Sequence, residues 1–297
     1  MKKFVLTFSG SLLLVALCYY LFLRPYEYVV KFKAATIPGD LIETIRIWNR
    51  SLPNAEIVGV DSLYQVKQKI TYESREYLYD WYFKPIHDSL TKVTIQISEP
   101  NRKLLNKLTV PFTEQSIESD ASYLCKMFYE IVQTHLKITK VKILGEAKVD
   151  SSFCICRSLE TDQIAKANGM MKDYSLLVSF VDVHKLKLNG SPMIRINQWN
   201  HRRGKLKFDF CFPLHRQDTL PLSNSLEFKV FGEETALSAE YHGNYITSDR
   251  AWYQLIDYAN KNGYKIKGAP IEFFNDNPNM GLNELNWKAM IYLPIVK

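Results

Sequence analysis

The sequence predicts an α+β protein in three parts: an N-terminal transmembrane helix, an antiparallel sheet domain closed by a long helix, and a domain built from a duplicated strand-helix-strand-strand unit. Three observations lead to this prediction. An uncharged apolar run begins the chain, apolar residues then alternate with polar ones along short segments, and the last part repeats one succession of segments. We place the parts at residues 1–25, 26–140 and 141–297.

Composition and charge restrict the classes of function. With 46% hydrophobic and 23% charged residues among 297, the chain has the balance of a folded protein. Its net charge of +7 comes from basic residues scattered in twos and threes, unlike the dense basic stripe of a nucleic-acid groove. The sequence shows neither paired metal-ligand spacings nor a helix-turn-helix pattern. We therefore expect no direct nucleic-acid binding, no metal and no cofactor.

The cysteines do not resemble a disulfide framework. They form an odd set, and two of them alternate along one predicted strand, where neighbouring positions seldom bridge well. We interpret all of them as small buried hydrophobic residues: Cys18, Cys125, Cys154, Cys156 and Cys211.

The first part is the apolar run "FVLTFSGSLLLVALCYYLFL", which Arg24 and Pro25 end. About 20 such residues at about 1.5 Å each reach the hydrocarbon thickness of about 30 Å. The run predicts an uncleaved anchor and a single-pass protein of the bacterial inner membrane, with the membrane as a partner. A cleaved signal peptide is the alternative, although no small-x-small site follows the run. Basic residues flank both of its ends, so the side of the membrane that the body occupies stays open.

The second part alternates with period two in "YQVKQKITYE", "YLYDWYF" and "KVTIQIS", and turn formers separate these segments. The later stretch "IESDASYLCKMFYEIVQTHLKITK" has apolar residues at three-and-four spacing, which predicts a helix packed on the sheet. His87 and Asp88 fall in a predicted hairpin loop. We interpret them as turn residues rather than an acid-base pair.

Three stretches of this part, "RPYEYVVKFKA", "DWYFKPIHDSLTKVTIQIS" and the late helix, resemble the SRPBCC (START-like, polyketide cyclase-related) superfamily. The resemblance implies a helix-grip-like fold that binds apolar ligands between helix and sheet. No pocket residue is carried over.

The third part contains two similar halves. The first reads strand "AKVDSSFCICRS", a helix interrupted or bent near Gly169, then strands "MIRINQWN" and "KLKFDFCFPL". The second reads strand "TALSAEYHG", helix "TSDRAWYQLIDYANKNG", then strands "APIEFF" and "NWKAMIYLPI". Two such units predict one mixed or antiparallel sheet with both helices on one face and a cleft between the halves.

The stretches "AEYHGNY", "GAPIEFFNDNP" and "IYLPI" resemble the GyrI-like domain, the effector-binding domain of certain bacterial transcription activators. The matching positions are His242, Gly243, Tyr245, Trp252, Leu255, Tyr258, Pro270, Glu272, Phe274, Pro278, Tyr292 and Pro294. The resemblance implies that small amphipathic or cationic molecules bind in an aromatic cleft.

This chain departs from the family pattern in two places that bear on the ligand. Met290 stands where many members carry Glu, and Phe274 replaces a common Tyr, so the site is more apolar. Glu240, Glu272 and Glu284 remain as candidate acidic groups. We therefore expect a small amphipathic or apolar ligand, and we predict these ligand-binding residues: Tyr241, Tyr245, Trp252, Tyr258, Glu272, Phe274, Trp199, Met290 and Tyr292.

The function predicted from the sequence is a membrane-anchored small-molecule-binding protein that senses or sequesters its ligand, with no catalytic residue assigned. Two alternatives stay open. One is a hydrolase of a reactive small molecule, with Glu272 and Tyr245 as the candidate acid-base pair. The other is a ligand-sensing accessory to a transcription regulator, because the chain lacks a DNA-binding module of its own.

Overall fold

The computed structural model describes residues 2–87, 89–277 and 283–296. Asp88 and Pro278, which the sequence motifs include, lie outside these residues. The chain divides into two compact units, Met1–Gln133 and Thr134–Lys297, and each is described by itself.

The N-terminal segment differs from the transmembrane helix that the sequence predicts. Helix α1 spans Lys2–Cys18, 17 residues, and a π-helical turn continues from Tyr19 to Leu23. An α-helix of this length reaches only about 26 Å, short of the hydrocarbon thickness of about 30 Å. Within the part of the chain that the structure describes, no helix combines the length and the apolar character that a membrane span requires. The predicted transmembrane helix and single-pass inner-membrane location are therefore wrong.

The distal end of this segment is held by contacts within the first unit. The Lys107 ammonium donates to the carbonyl oxygens of Leu21 at 3.0 Å and Arg24 at 2.5 Å. The Tyr20 hydroxyl donates to the carbonyl oxygen of Lys107 at 3.0 Å. These bonds occupy backbone carbonyls at the end of the predicted span, where the α-helix has already stopped.

The first unit contains one antiparallel sheet and three helices that follow α1. Its elements are β1 Tyr28–Ala34, α2 Pro38–Ser51, β2 Ala55–Ser62, β3 Gln65–Tyr72, β4 Arg75–His87, β5 Leu90–Ser98, α3 Lys103–Thr109 and α4 Ser116–Lys137. The strands follow the order β1-β5-β4-β3-β2 in the sheet. The three alternating segments and the long helix of the sequence analysis correspond to β3, β4, β5 and α4, so these predictions are confirmed. His87 ends β4 and is exposed.

The core of this unit is aromatic. The ring of Phe128 on α4 lies 4.8 Å from Trp81 on β4 and 5.3 Å from Trp48 on α2, centroid to centroid. All three side chains are almost fully buried. The long helix therefore packs on the sheet through large rings. The resemblance of this unit to SRPBCC proteins stays a prediction.

The second unit contains one large sheet in which every pair of neighbouring strands is antiparallel. The elements are β6 Lys140–Val149, β7 Ser152–Asp162, α5 Lys166–Val183, β8 Met193–Asn200, β9 Lys205–Leu214, β10 Glu227–Phe231, β11 Glu234–His242, α6 Arg250–Lys261, β12 Lys265–Ile266, β13 Ile271–Phe274 and β14 Lys288–Val296. The strands follow the order β10-β7-β9-β8-β13-β14-β11-β6, and β12 pairs with β14.

The predicted duplication is confirmed. One half is β7-α5-β8-β9 and the other is β11-α6-β13-β14, and they meet where Ile194 on β8 pairs with Glu272 on β13. Residues of both helices belong to one core cluster with the inward-facing residues of the sheet, among them Leu177 and Leu255. Helix α5 runs without interruption through Gly169, so the expected break is absent there.

Two cysteines on the opposite face of this sheet form a disulfide, so the prediction that all five are unpaired is wrong. Cys156 on β7 and Cys211 on β9 are directly opposed in the antiparallel register and form a disulfide. Their Cα atoms are 4.0 Å apart. The pair was missed because it joins two strands, whereas the prediction rested on neighbouring positions of one strand. Cys125 and Cys154 are buried and free, as predicted, but Cys18 is exposed, so the prediction of a buried residue is wrong there.

Candidate ligand-binding site

A cavity of about 300 Å³ lies between the two halves of the second unit. Helix α5, the loop before β8 and strand β9 supply one side; the turn after β11, the end of β13 and the residue before β14 supply the other. The lining residues are Ala167, Asn168, Met170, Met171, Tyr174, Ser191, Pro192, Phe210, Asn244, Tyr245, Ile246, Phe274, Asn275, Asp276, Asn277 and Trp287. This volume is at the lower end of the range for small-molecule pockets.

Three rings form one wall of the cavity. The centroid of Tyr245 lies 4.8 Å from that of Phe274 and 5.7 Å from that of Trp287, and all three rings are largely buried. Strand β13 directs Phe274 to the helix side of the sheet because Ile271 and Phe273 occupy the opposite face. The wall can therefore bury a small apolar molecule against rigid aromatic surface.

Hydrogen bonds order the polar part of the lining. The Asn244 amide donates to the Glu284 carboxylate at 2.8 Å, and its oxygen accepts the Ile246 backbone N–H at 2.9 Å. One Asp276 carboxylate oxygen accepts the Lys288 backbone N–H at 2.7 Å. These contacts hold amide and carboxylate groups in place beside the apolar wall, where they can orient a polar group of a ligand.

The Tyr245 hydroxyl is already engaged by backbone. It donates to the carbonyl oxygen of Lys288 at 2.8 Å and accepts the N–H of Asp276 at 3.1 Å. Burial raises the pKa of this hydroxyl above its ordinary value. Tyr245 therefore supplies a ring face to the cavity and carries no phenolate charge at neutral pH.

A fully buried ion pair lies behind the aromatic wall. The Lys166 ammonium, at the start of α5, lies 2.8 and 2.9 Å from the two carboxylate oxygens of Glu272 on β13, and 2.6 Å from the Ser248 hydroxyl. The Ser248 hydroxyl donates to Glu272 at 2.7 Å. Burial raises the pKa of the Glu272 carboxyl, while the ammonium opposes that shift. The ammonium and the carboxylate together carry no net charge.

Tyr245 and Phe274 are the predicted ligand-binding residues that line the cavity. Trp199 and Trp252 instead pack edge to face at 5.2 Å, and the Trp199 indole donates to the Gln163 amide oxygen at 2.7 Å. Glu272 is buried against Lys166 and does not line the cavity.

The remaining four predicted residues also lie outside the lining. The Tyr241 hydroxyl donates to the Asn244 carbonyl oxygen at 2.7 Å, so this residue supports the turn. Tyr258 stacks on Tyr264. Met290 and Tyr292 project from β14 to the sheet face opposite the helices, because Ala289, Ile291 and Leu293 occupy the helix side.

Helix α5 supplies five of the lining residues that sequence reasoning missed. Ala167, Met170, Met171 and Tyr174 follow the three-and-four spacing of one helix face, which was a usable signal. Trp287 lies in the predicted strand "NWKAMIYLPI" and alternates in phase with Ala289 and Ile291, so the pattern of that strand was also a usable signal.

The candidate acidic groups of the turn region are paired outside the cavity. The Glu240 carboxylate contacts His242 at 2.8 Å and Lys288 at 2.5 Å, and these two partners lower its pKa to about 2. Glu284 accepts from Asn244, as described above. Neither carboxylate belongs to the described lining.

The candidate acid-base pair does not converge. The Tyr245 hydroxyl bonds to backbone groups near Lys288 and Asp276, whereas the Glu272 carboxylate bonds to Lys166 and Ser248. A general base must reach the proton that it removes, and these two groups are turned to separate partners. The geometry therefore gives no support to the hydrolase alternative.

Comparison with known families found a match in this part of the chain. Residues 162–296 match the GyrI-like family, described as a GyrI-like small molecule binding domain. The match begins at the last residue of β7 and includes all residues described for the cavity. A comparison with curated proteins found no match.

Several solved structures share weak likeness with the chain. The C-terminal domain of EcmrR is 14% identical, covering 54% of this chain and 98% of that one, with a TM-score of 0.44. SAV2435 bound to tetraphenylphosphonium is 12% identical, covering 52% and 94%, with a TM-score of 0.36. A hydrolase from Listeria innocua is 11% identical, covering 54% and 92%, with a TM-score of 0.31. At these scores the likenesses do not bear on the function of this chain.

Proposed function

We propose that the GyrI-like domain of residues 162–296 binds a small, predominantly apolar or amphipathic molecule in the cavity between its two halves. The observation that carries the proposal is the wall of Tyr245, Phe274 and Trp287, three largely buried rings around a space of about 300 Å³. Methionines of α5 complete the apolar surface and adapt to ligands of different shape. The amide groups at the other side orient one polar group of the ligand.

The role that fits this site is sensing or sequestration rather than a reaction. The buried carboxylate of Glu272 is neutralised by Lys166, and the Tyr245 hydroxyl is bonded to backbone. Binding is driven by removal of apolar surface from water. About 200 Å² of ligand surface at about 25 cal/mol/Å² gives about 5 kcal/mol, from which the cost of immobilising the probe must be subtracted.

Calorimetric titration of the purified full chain with 4-tert-butylphenol tests the proposal. We expect one site per chain and a negative heat-capacity change. Ala167→Trp places a large ring in the cavity and should weaken binding at least about tenfold. Leu176→Trp changes a partly exposed residue of the same helix outside the lining and should bind like the wild type. Equal affinity in Ala167→Trp and the wild type would refute the proposed site.

A further inference from the structure

The surroundings of the Lys166 ammonium have the composition of a cation-binding cage. Besides the Glu272 carboxylate and the Ser248 hydroxyl, the ammonium lies 5.1 Å from the centroid of the Trp252 ring and 5.9 Å from that of Phe274. Carboxylates and aromatic faces are the groups that attract an organic cation in a desolvated site. Here the cation is part of the chain.

Local structure does not explain a lysine at this position. Lys166 is the first residue of α5, where the positive end of the helix dipole disfavours a positive side chain. A buried ion pair is also weak evidence for stability, since apolar residues of similar volume often replace such pairs without loss. The pair therefore calls for another explanation.

The cage and the cavity share a wall. The Phe274 ring lines the cavity and also borders the ammonium. Ala167, the residue after Lys166, lines the cavity too. The Ser248 hydroxyl lies 3.0 Å from the backbone carbonyl oxygen of Tyr245, a residue whose ring lines the cavity. A change in the net charge of the cage is therefore expected to alter the electrostatic potential in the neighbouring cavity.

We propose that Lys166 is an internal counter-ion that neutralises Glu272 next to the cavity, so that the cavity selects uncharged ligands. The inference rests on the proposed function and adds the charge class of the ligand to it. It makes Lys166 a specificity-determining residue: without its ammonium, the charge of the Glu272 carboxylate is uncompensated and attracts an organic cation to the cavity beyond the Phe274 ring.

Two probes of the same shape test the charge preference: 4-tert-butylphenol is neutral, and (4-hydroxyphenyl)trimethylammonium is its cationic counterpart. The wild-type full chain should bind the neutral probe at least about tenfold more tightly. This comparison needs no variant, so it can overturn the inference even if a variant fails to fold. Equal or tighter binding of the cation by the wild type would overturn the inference. Failure of both probes to bind would instead count against the proposed function.

Variants then test the residue. Lys166→Met should bind the cationic probe at least about tenfold more tightly than the wild type. Lys166→Met combined with Glu272→Gln removes both charges and should lose that gain. Lys172→Met, at an exposed position of α5, changes net charge equally and should behave like the wild type. No gain in Lys166→Met, or a gain that persists in the double variant, refutes the assignment. A gain abolished only by Asp276→Asn refutes it as well, because recognition would then lie at Asp276.

Discussion

Gly243 is the position where a single methyl group should most damage the turn that carries Tyr245. Its φ is +141°, a conformation that side chains rarely adopt. A Cβ at this position would lie 2.7 Å from the Tyr241 hydroxyl oxygen and 2.9 Å from the backbone carbonyl oxygen of Ile138. The backbone atom cannot rotate away, so Gly243→Ala must displace both the turn and the Tyr241 hydroxyl.

The expected loss in Gly243→Ala follows from these contacts. The backbone strain is worth about 1–3 kcal/mol. Displacement of the Tyr241 hydroxyl breaks its bonds of 2.7 Å to the Asn244 carbonyl oxygen and to the Thr247 hydroxyl, at about 1 kcal/mol each. Together these effects should lower the free energy of opening by about 3–5 kcal/mol.

Amide hydrogen exchange in β11 and β14, followed by mass spectrometry, measures this free energy for the sheet of the second unit alone. Gly232→Ala is the matched control, because a Cβ there meets no atom within 4 Å. The reasoning is refuted if the two variants protect these strands equally. In the Tyr241→Phe background the clash with the Ile138 carbonyl remains, so Gly243→Ala should still be destabilising there.

Three further predictions concern the same unit. The Cys156–Cys211 disulfide joins residues 55 positions apart, so reductant should lower the free energy of unfolding of the wild type by up to about 4 kcal/mol. Reductant should leave the stability of the double variant Cys156→Ala/Cys211→Ala unchanged. A wild type whose stability does not respond to reductant would contradict this prediction. The Glu240 pKa of about 2 lies below its unfolded value, so its stabilising contribution is present above about pH 4.5 and is lost as the pH falls toward 2. The ion pair between Glu240 and Lys288 is partly exposed, so Glu240→Gln should lower the free energy of unfolding in urea by less than about 1 kcal/mol at pH 7. A loss of stability that stays constant down to pH 2.5 would refute the low pKa assigned to Glu240. Tyr245→Ala should weaken the binding of 4-tert-butylphenol about tenfold, because it removes the ring. Tyr245→Phe keeps the ring and should change the affinity less than about threefold. Equal losses of affinity in calorimetry would show that the hydroxyl rather than the ring matters.

Local patterns predicted most of the secondary structure correctly because their signal lies within a few residues. The alternation in β3, β4 and β5 and the apolar stripe of α4 are of this kind. Helix α2 was missed although Leu41, Ile45 and Trp48 follow helical spacing and are buried. The apolar run at the N-terminus predicted a span through its composition, but composition does not show that the α-helix stops at Cys18.

The candidate site was predictable only in part, because its contacts join distant residues. Tyr245 and Phe274 were found through the family motifs. Lys166 and Glu272 are 106 positions apart, and no periodicity indicates such a pair. The same motifs drew attention to Met290 and Tyr292, although the alternation along β14 places both on the other face of the sheet. Strand alternation was the better guide to which side chains face the helices.

The position of a bound ligand distinguishes the cavity from the opposite face of the sheet. Methyl NMR of the full chain with labelled methionines provides the measurement, since Met170 and Met171 line the cavity while Met193 and Met290 lie on the opposite face of the sheet. Titration with 4-tert-butylphenol should shift the Met170 and Met171 signals in a saturable way and leave those of Met193 and Met290 in place. A titration in which the Met290 signal moves while Met170 and Met171 do not would contradict the proposed site.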